Sequence, residues 1–371
     1  MIYFMKTIHY ELNNFTIKYD LKKLSLPEEA FFLDIETTGF SPKTSSVYLI
    51  GGAYYRQDKW RMIQWFAEDE TEEEEILLAF FSFLKPFTTL FHFNGNRFDL
   101  PFLLARSELH HIEATFSRYR GIDIYKRIAS CRHFLSLPNC KQKSIELFLN
   151  IQREDKYSGG ELIKVYSEYL HTKEKEKEQL LLLHHRDDLK GMLEILPILS
   201  YSDLFHQPVR TTKVQSNSYL DLNGKKQQEL LLKIKLPSPL PLPLSYHAND
   251  CYVTLEEDHG VIRVPVYSEE LKYFYTNHKD YYYLPMEDMA IHKSVASFVD
   301  KEHRVPATAS TCYTRKFSLY LPQWDYLYSP FFQREYKSPL IFFELTEEFK
   351  KNREDFSNYA SHILQMMGRS R

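Results

Sequence analysis

Cysteine is scarce. Cys131, Cys140, Cys251 and Cys312 are the only four in 371 residues, and none forms a C-x-x-C pair. That excludes a dithiol redox motif and suits free thiols in a reducing compartment. Long apolar runs are also missing. No stretch approaches 18 apolar residues, so no membrane span is expected. Met1-Ile2-Tyr3-Phe4-Met5-Lys6 lacks the apolar core of a signal peptide, and the cytoplasm is the expected location. Charge of one sign is not in excess. A net charge of -3 gives no global basic field, so any nucleic-acid contact has to be a local patch. Internal repeats are absent too. What remains is an ordinary globular composition, 43% hydrophobic and 26% charged, in a chain long enough for two domains. Its 27 Tyr and 27 Phe are mainly expected in the core and sheets. Exposed ones could stack on unpaired bases, a contact worth about 1–3 kcal/mol per base.

Three short acidic motifs carry the chemistry. In the first, Asp34-Ile35-Glu36-Thr37-Thr38-Gly39 follows the apolar run Ala30-Phe31-Phe32-Leu33. The run predicts a buried strand, on which Asp34 and Glu36, two residues apart, share a face. Ser46 to Tyr55 and Trp60 to Phe66 read as the next two strands of an antiparallel meander. In the second, Asn94-Gly95-Asn96-Arg97-Phe98-Asp99 ends the strand Thr89 to Phe93 and opens a helix with Pro101 in its first turn. Asp99 at that helix start serves as a ligand, an N-cap, or both. Asn94 and Asn96 either orient a phosphate or simply make the turn.

The third motif, His184-His185-Arg186-Asp187-Asp188, lies in a predicted helix. Leu181, His184, Met192 and Ile195 stand seven, four, four and seven positions from Asp188, so they share its face. Asp188 and His184 therefore point inward, and Asp187 falls on a more polar face. An unpaired carboxylate is costly away from water. Four of them, Asp34, Glu36, Asp99 and Asp188, converging on one point would require cations between them. That is the ligand set of a two-metal phosphoryl-transfer site. His184 is the candidate proton acceptor.

With these motifs the chain resembles the DEDD superfamily of 3′-5′ exonucleases on a ribonuclease-H-like fold. From about Phe31 to Leu199 it resembles, more narrowly, the YprB-type domain. Gly121-Ile122-Asp123-Ile124-Tyr125, Lys143-Ser144-Ile145-Glu146 and Arg153-Glu154-Asp155-Lys156-Tyr157-Ser158-Gly159-Gly160-Glu161-Leu162 add to the likeness. The resemblance implies an α/β mixed sheet flanked by helices, two Mg²⁺ or Mn²⁺ ions held by Asp34, Glu36, Asp99 and Asp188, and stepwise hydrolysis of DNA or RNA from a single-stranded 3′ end. One departure stands out: three residues separate His184 from Asp188, the spacing of the superfamily's tyrosine-type members, whereas its histidine-type members have four. A non-catalytic nucleic-acid-binding protein and a structure-specific endonuclease are the competing readings.

Elsewhere, Glu68 to Glu75 reads as the solvated start of a helix ending near Leu84. The expected division is a ribonuclease-H-like domain over 1–205, a polar and Pro-rich linker over 206–245, and a smaller α+β domain over 246–371. Within the last, Cys251 to Glu256 and Val261 to Val266 predict a hairpin, Glu287 to Asp300 a helix, Phe317 to Leu321 and Leu340 to Leu345 strands, and Glu347 to Met367 a final helix. Lys293, Arg315 and Lys316 could form a basic contact surface for a nucleic-acid strand.

Overall fold

The computed structural model describes residues 5–154, 157 and 159–369. Asp155, Lys156 and Ser158 of the glycine-containing string, and Met1 to Phe4 of the amino-terminal segment, lie outside them. The chain divides into two compact units, Met1–Ser202 and Asp203–Arg371.

The first unit is built on a six-stranded mixed sheet. Its elements in chain order are β1 (Lys6–Glu11), β2 (Ala30–Thr37), β3 (Val47–Arg56), β4 (Lys59–Phe66), α1 (Glu73–Leu84), β5 (Thr89–His92), α2 (Asp99–Leu109), β6 (Arg120–Asp123), α3 (Ile124–Ala129), α4 (Gln142–Phe148), α5 (Gly159–Thr172) and α6 (Lys175–Glu194). The strand order is β1-β4-β3-β2-β5-β6. The meander β2-β3-β4 is antiparallel as expected, and β5 and β6 add parallel to it. The acid-bearing β2 is therefore central. Ala30 to Leu33 are fully buried, which explains the unbroken apolar run: a central strand covered on both faces has no polar side. Helices flank the sheet, with α1 against β3 and α6 across β2 and β3. The core draws on Phe31, Leu33, Ile50, Trp65, Phe80, Leu103, Tyr166 and Leu181.

The acidic run that leads into α1 and forms its first turn is not wholly solvated. Glu73 is 2% exposed and bound by the Arg106 guanidinium, by His110 at 2.8 Å and by the Val47 N–H at 2.7 Å. Those donors outweigh burial and hold its carboxyl below the usual range.

Helix α7 (Leu199–His206) follows. The second unit is mostly β. It contains β7 (Arg210–Leu220), β8 (Lys226–Lys235), β9 (Leu244–Ala248), β10 (Cys251–Glu256), β11 (His259–Phe274), β12 (Tyr281–Leu284), β13 (Met289–His292), β14 (Val305–Pro306), β15 (Tyr313–Gln323), β16 (Phe331–Phe332), β17 (Ile341–Glu344), α8 (Glu347–Lys351) and α9 (Arg353–Arg369). An eight-stranded sheet runs β16-β17-β15-β11-β10-β9, with β8 on β11 and β7 on β8, and β13-β12-β14 form a small second sheet.

Three expectations are corrected here. The segment 206–245 is not a linker: β7 and β8 form a long hairpin around the Asn223-Gly224 turn, where Gly224 has φ +75°. The hairpin's outer strand is largely exposed, so its polar sequence hides it. Leu236 to Pro243 stays outside regular structure, in keeping with its prolines. Glu287 to Asp300 is no helix either. It holds β13, turns and a single 3₁₀ turn over Ala296–Phe298, with Tyr283 and Tyr313 both donating to Asp288. The expected final helix is broken at Asn352 into α8 and α9. No helix among the described residues is long and apolar enough to cross a membrane.

Candidate active site

The site assembles where α6 crosses β2. Asp34 and Glu36 project from one face of β2, opposite Gly51 and Leu49 of β3. Gly51 makes the crossing possible. A Cβ there would lie 2.4 Å from His185 Cε1 and 2.7 Å from the Ile63 carbonyl oxygen, so no other residue admits the imidazole.

His185 is the fully buried clamp of this crossing. The Gln64 amide nitrogen donates to the Leu182 carbonyl at 3.1 Å, and the same nitrogen faces His185 Nδ1 at 2.8 Å. A carbonyl only accepts, so Nδ1 also accepts and Nε2 carries the proton. Nε2 donates to the Asp34 carbonyl oxygen at 3.1 Å. Burial, which this hydrogen bond opposes, lowers the imidazole pKa to about 4 and keeps it neutral.

His184 points to the acids. Its Nε2 lies 3.1 Å from Asp188 Oδ2 and 3.6 Å from Glu36 Oε1. Glu36, His184 and Asp188 each offer one ligand atom, all within 4.8 Å of one another. Asp99, the first residue of α2, is buried. Its carboxylate accepts from its own N–H and from that of Ile35, between the two β2 acids. The preceding Phe98 supplies no side-chain cap.

Electrostatics express the crowding. Desolvation, then the charges of Asp188, Asp99 and Glu36, push the Asp34 carboxyl well up. Desolvation also raises Asp99 to about 7, with Asp123 adding to it and the two N–H donors opposing it. Asp188 goes the other way. Burial alone would raise it, but His184 and Arg153 together hold it at about 2. A cluster of oxygen donors with one imidazole, its acids disfavouring each other's charge, fits a hard divalent cation.

Asn94 adopts the left-handed conformation, φ +63°, and its N–H donates to Asp123 Oδ1 at 3.0 Å, the geometry of a turn residue. Asp187 departs from expectation: it is buried, and its carboxylate accepts the Glu154 N–H at 3.0 Å. In the second unit, Arg315 Nη1 lies 3.1 Å from Glu270 and 3.7 Å from Asp288, Lys316 is 2.6 Å from Glu344, and Lys293 sits over the Tyr282 ring. The basic surface is thus partly neutralised by its own acids.

Reasoning from the sequence missed Arg153 and Glu146 as individual residues. Arg153 Nη1 reaches both Glu146 oxygens, at 3.1 and 3.0 Å, and Nη2 reaches Asp188 Oδ1 at 2.5 Å. Their strings added to the resemblance, but nothing in the spacing joins two residues seven apart to a third on another helix.

Residues 31–200, which span the mixed sheet from β2 onward and its flanking helices, match the family model of the RNase_H superfamily. No curated protein matches the sequence. Among solved structures, the chain is similar to the family B DNA polymerase of Pyrobaculum calidifontis, at 16% identity over 47% of this chain and 25% of that one, with a TM-score of 0.37. It is also similar to the zinc-bound E. coli ExoI–ssDNA complex, at 12% identity over 57% of this chain and 55% of that one, TM-score 0.29. A product-bound exonuclease I is similar at 11% identity over 92% and 72%, TM-score 0.28. The chain thus spans a quarter of the polymerase and about half of ExoI in the zinc-bound complex.

Proposed function

We propose that the protein is a metal-dependent 3′-5′ exonuclease that hydrolyses phosphodiester bonds of DNA or RNA. One observation carries this reading: Glu36 of β2 and His184 and Asp188 of α6 each offer a ligand atom within 4.8 Å of one another, with Asp34 on the same face of β2 as Glu36. The direction of cleavage and the single-stranded 3′ end follow the resemblance to the DEDD exonucleases.

Asp34, Glu36, Asp99 and Asp188 would hold two Mg²⁺ or Mn²⁺ ions. Bound there, such ions supply an acidified water and neutralise the leaving oxygen. The chain's own residues do the rest. His184 is the proton acceptor, and Asp188, one helical turn away and facing its Nε2, steadies the imidazolium that results. His185 and Gln64 fix the backbone of Asp34 from below, so the acids meet the substrate already arranged. Lys293, and Arg315 and Lys316 once exchanged from their own acids, would add phosphate contacts.

The test is to incubate the protein and Mg²⁺ or Mn²⁺ with 5′-labelled DNA and RNA oligonucleotides. A ladder of shortened labelled products is expected. Immediate release of labelled mononucleotide would reverse the direction. A few internal fragments would make the protein an endonuclease, and binding without cleavage a nucleic-acid-binding module.

A further inference from the structure

Asp188 is already engaged by a cation. Arg153 stands in the segment between α4 and α5, with a side chain only 11% exposed. Its guanidinium bridges two carboxylates: Nη1 holds both oxygens of Glu146, and Nη2 holds Asp188 Oδ1. The other Asp188 oxygen faces His184. Both oxygens of this candidate ligand are therefore occupied by the chain itself.

The other end of the bridge is built rather than incidental. Glu146, on α4, is 1% exposed. Gln142, one turn before it, donates to Glu146 Oε1 at 3.0 Å and to the Asp188 backbone oxygen at 2.8 Å. On α6, a Cβ at position 191 would lie 2.2 Å from Glu146 Oε1. Gly191 thus opens the space for the Glu146 carboxylate beside Asp188. A buried glutamate needs a partner, and Arg153 keeps one whether or not it also holds Asp188. Arginine stays charged at any working pH, so the contact cannot be relieved by losing a proton.

We propose that Arg153 is a positioning residue that acts as an internal competitor, occupying Asp188 in place of a divalent cation and setting the site's metal affinity, with Glu146 as the berth that keeps the guanidinium paired when Asp188 turns to an ion. The inference rests on the metal-dependent reading of the site. It makes the two partners of one ion pair act in opposite directions. Removing Arg153 takes a positive charge away from the acids and favours a cation. Removing the charge of Glu146 leaves Asp188 as the guanidinium's main carboxylate partner and disfavours one. A bridge that only stiffened the fold would weaken metal binding when either end was cut.

The test is Mn²⁺ titration of the full-length protein by calorimetry, without substrate, with thermal unfolding to show that each variant is folded. Arg153→Gln is expected to lower the Mn²⁺ dissociation constant by about tenfold or more, as expected for removing a cation a few ångströms from the ligand. Glu146→Gln is expected to raise it, and Arg153→Lys, which keeps the charge without the fork, to stay closer to wild type than Arg153→Gln. Unchanged or weaker binding in Arg153→Gln, with wild type binding Mn²⁺ normally, overturns the proposal and leaves the functional reading intact. No saturable binding in wild type or in Arg153→Gln overturns both.

Discussion

At the scale of single residues, adjacent histidines do different work. His184 faces two acids; His185 faces a glutamine and a carbonyl. His184→Ala is expected to slow cleavage by about 10²–10⁴-fold, the usual worth of a positioned proton acceptor, while the melting temperature changes little. His185→Ala should act on stability instead. It leaves the Gln64 amide and the Asp34 carbonyl short of a partner, at about 1–3 kcal/mol for each buried group. The pH dependence has a definite sign. The folded state holds the His185 pKa at about 4, below the ordinary 6.5. Between those values the unfolded chain binds the extra proton, so this contribution is full above about pH 6.5 and lost as the pH falls toward 4. Asp99, raised to about 7, works in the opposite direction. The quantity to measure is therefore the difference in unfolding free energy between wild type and His185→Gln. It should shrink from pH 7 to pH 4; a constant difference would mean the imidazole is not held neutral.

At the scale of elements, the crossing of α6 over β2 is what makes a site, and a glycine permits it. Gly51→Ala would drive a methyl into His185 and the Ile63 carbonyl. It is expected to cost about 1–3 kcal/mol in denaturant unfolding, with metal-dependent activity falling alongside. The legibility of the sequence follows the same physics. β2 was readable because a central strand is apolar on both faces, and Asp34 and Glu36 because a period of two puts them together. The helical phase placed His184 beside Asp188 correctly, but it treated Asp187 as polar. Asp187 is buried because the chain near Glu154 lies against it, a tertiary contact that periodicity does not encode. Glu73 was hidden for the same reason, its partner Arg106 lying 33 residues away. In the second unit, β7 carries polar side chains because most of it faces solvent, and its hydrogen bonds come from the backbone.

At the scale of the whole molecule, the candidate ligands all lie in Met1–Ser202. A fragment ending near Ser202 is expected to keep metal-dependent cleavage and to bind substrate more weakly. Replacing Lys293, Arg315 and Lys316 together in the full chain should weaken oligonucleotide binding and flatten its salt dependence, without changing the rate at saturating substrate. Because Arg315 and Lys316 are already paired with Glu270 and Glu344, the loss should be smaller than for three free cations. Unchanged affinity across a salt titration would remove that surface from substrate binding.

The central claim is that acids from three separate elements form one metal-dependent hydrolytic site. Its most direct test is a time course on a 5′-labelled single-stranded oligonucleotide in Mn²⁺, comparing wild type with Asp34→Ala and Asp99→Ala, each shown to be folded. The expected result is a stepwise ladder for wild type that chelator abolishes, and intact substrate for both variants. A ladder that survives chelation, or near-normal cleavage by either variant at saturating Mn²⁺, would contradict the account.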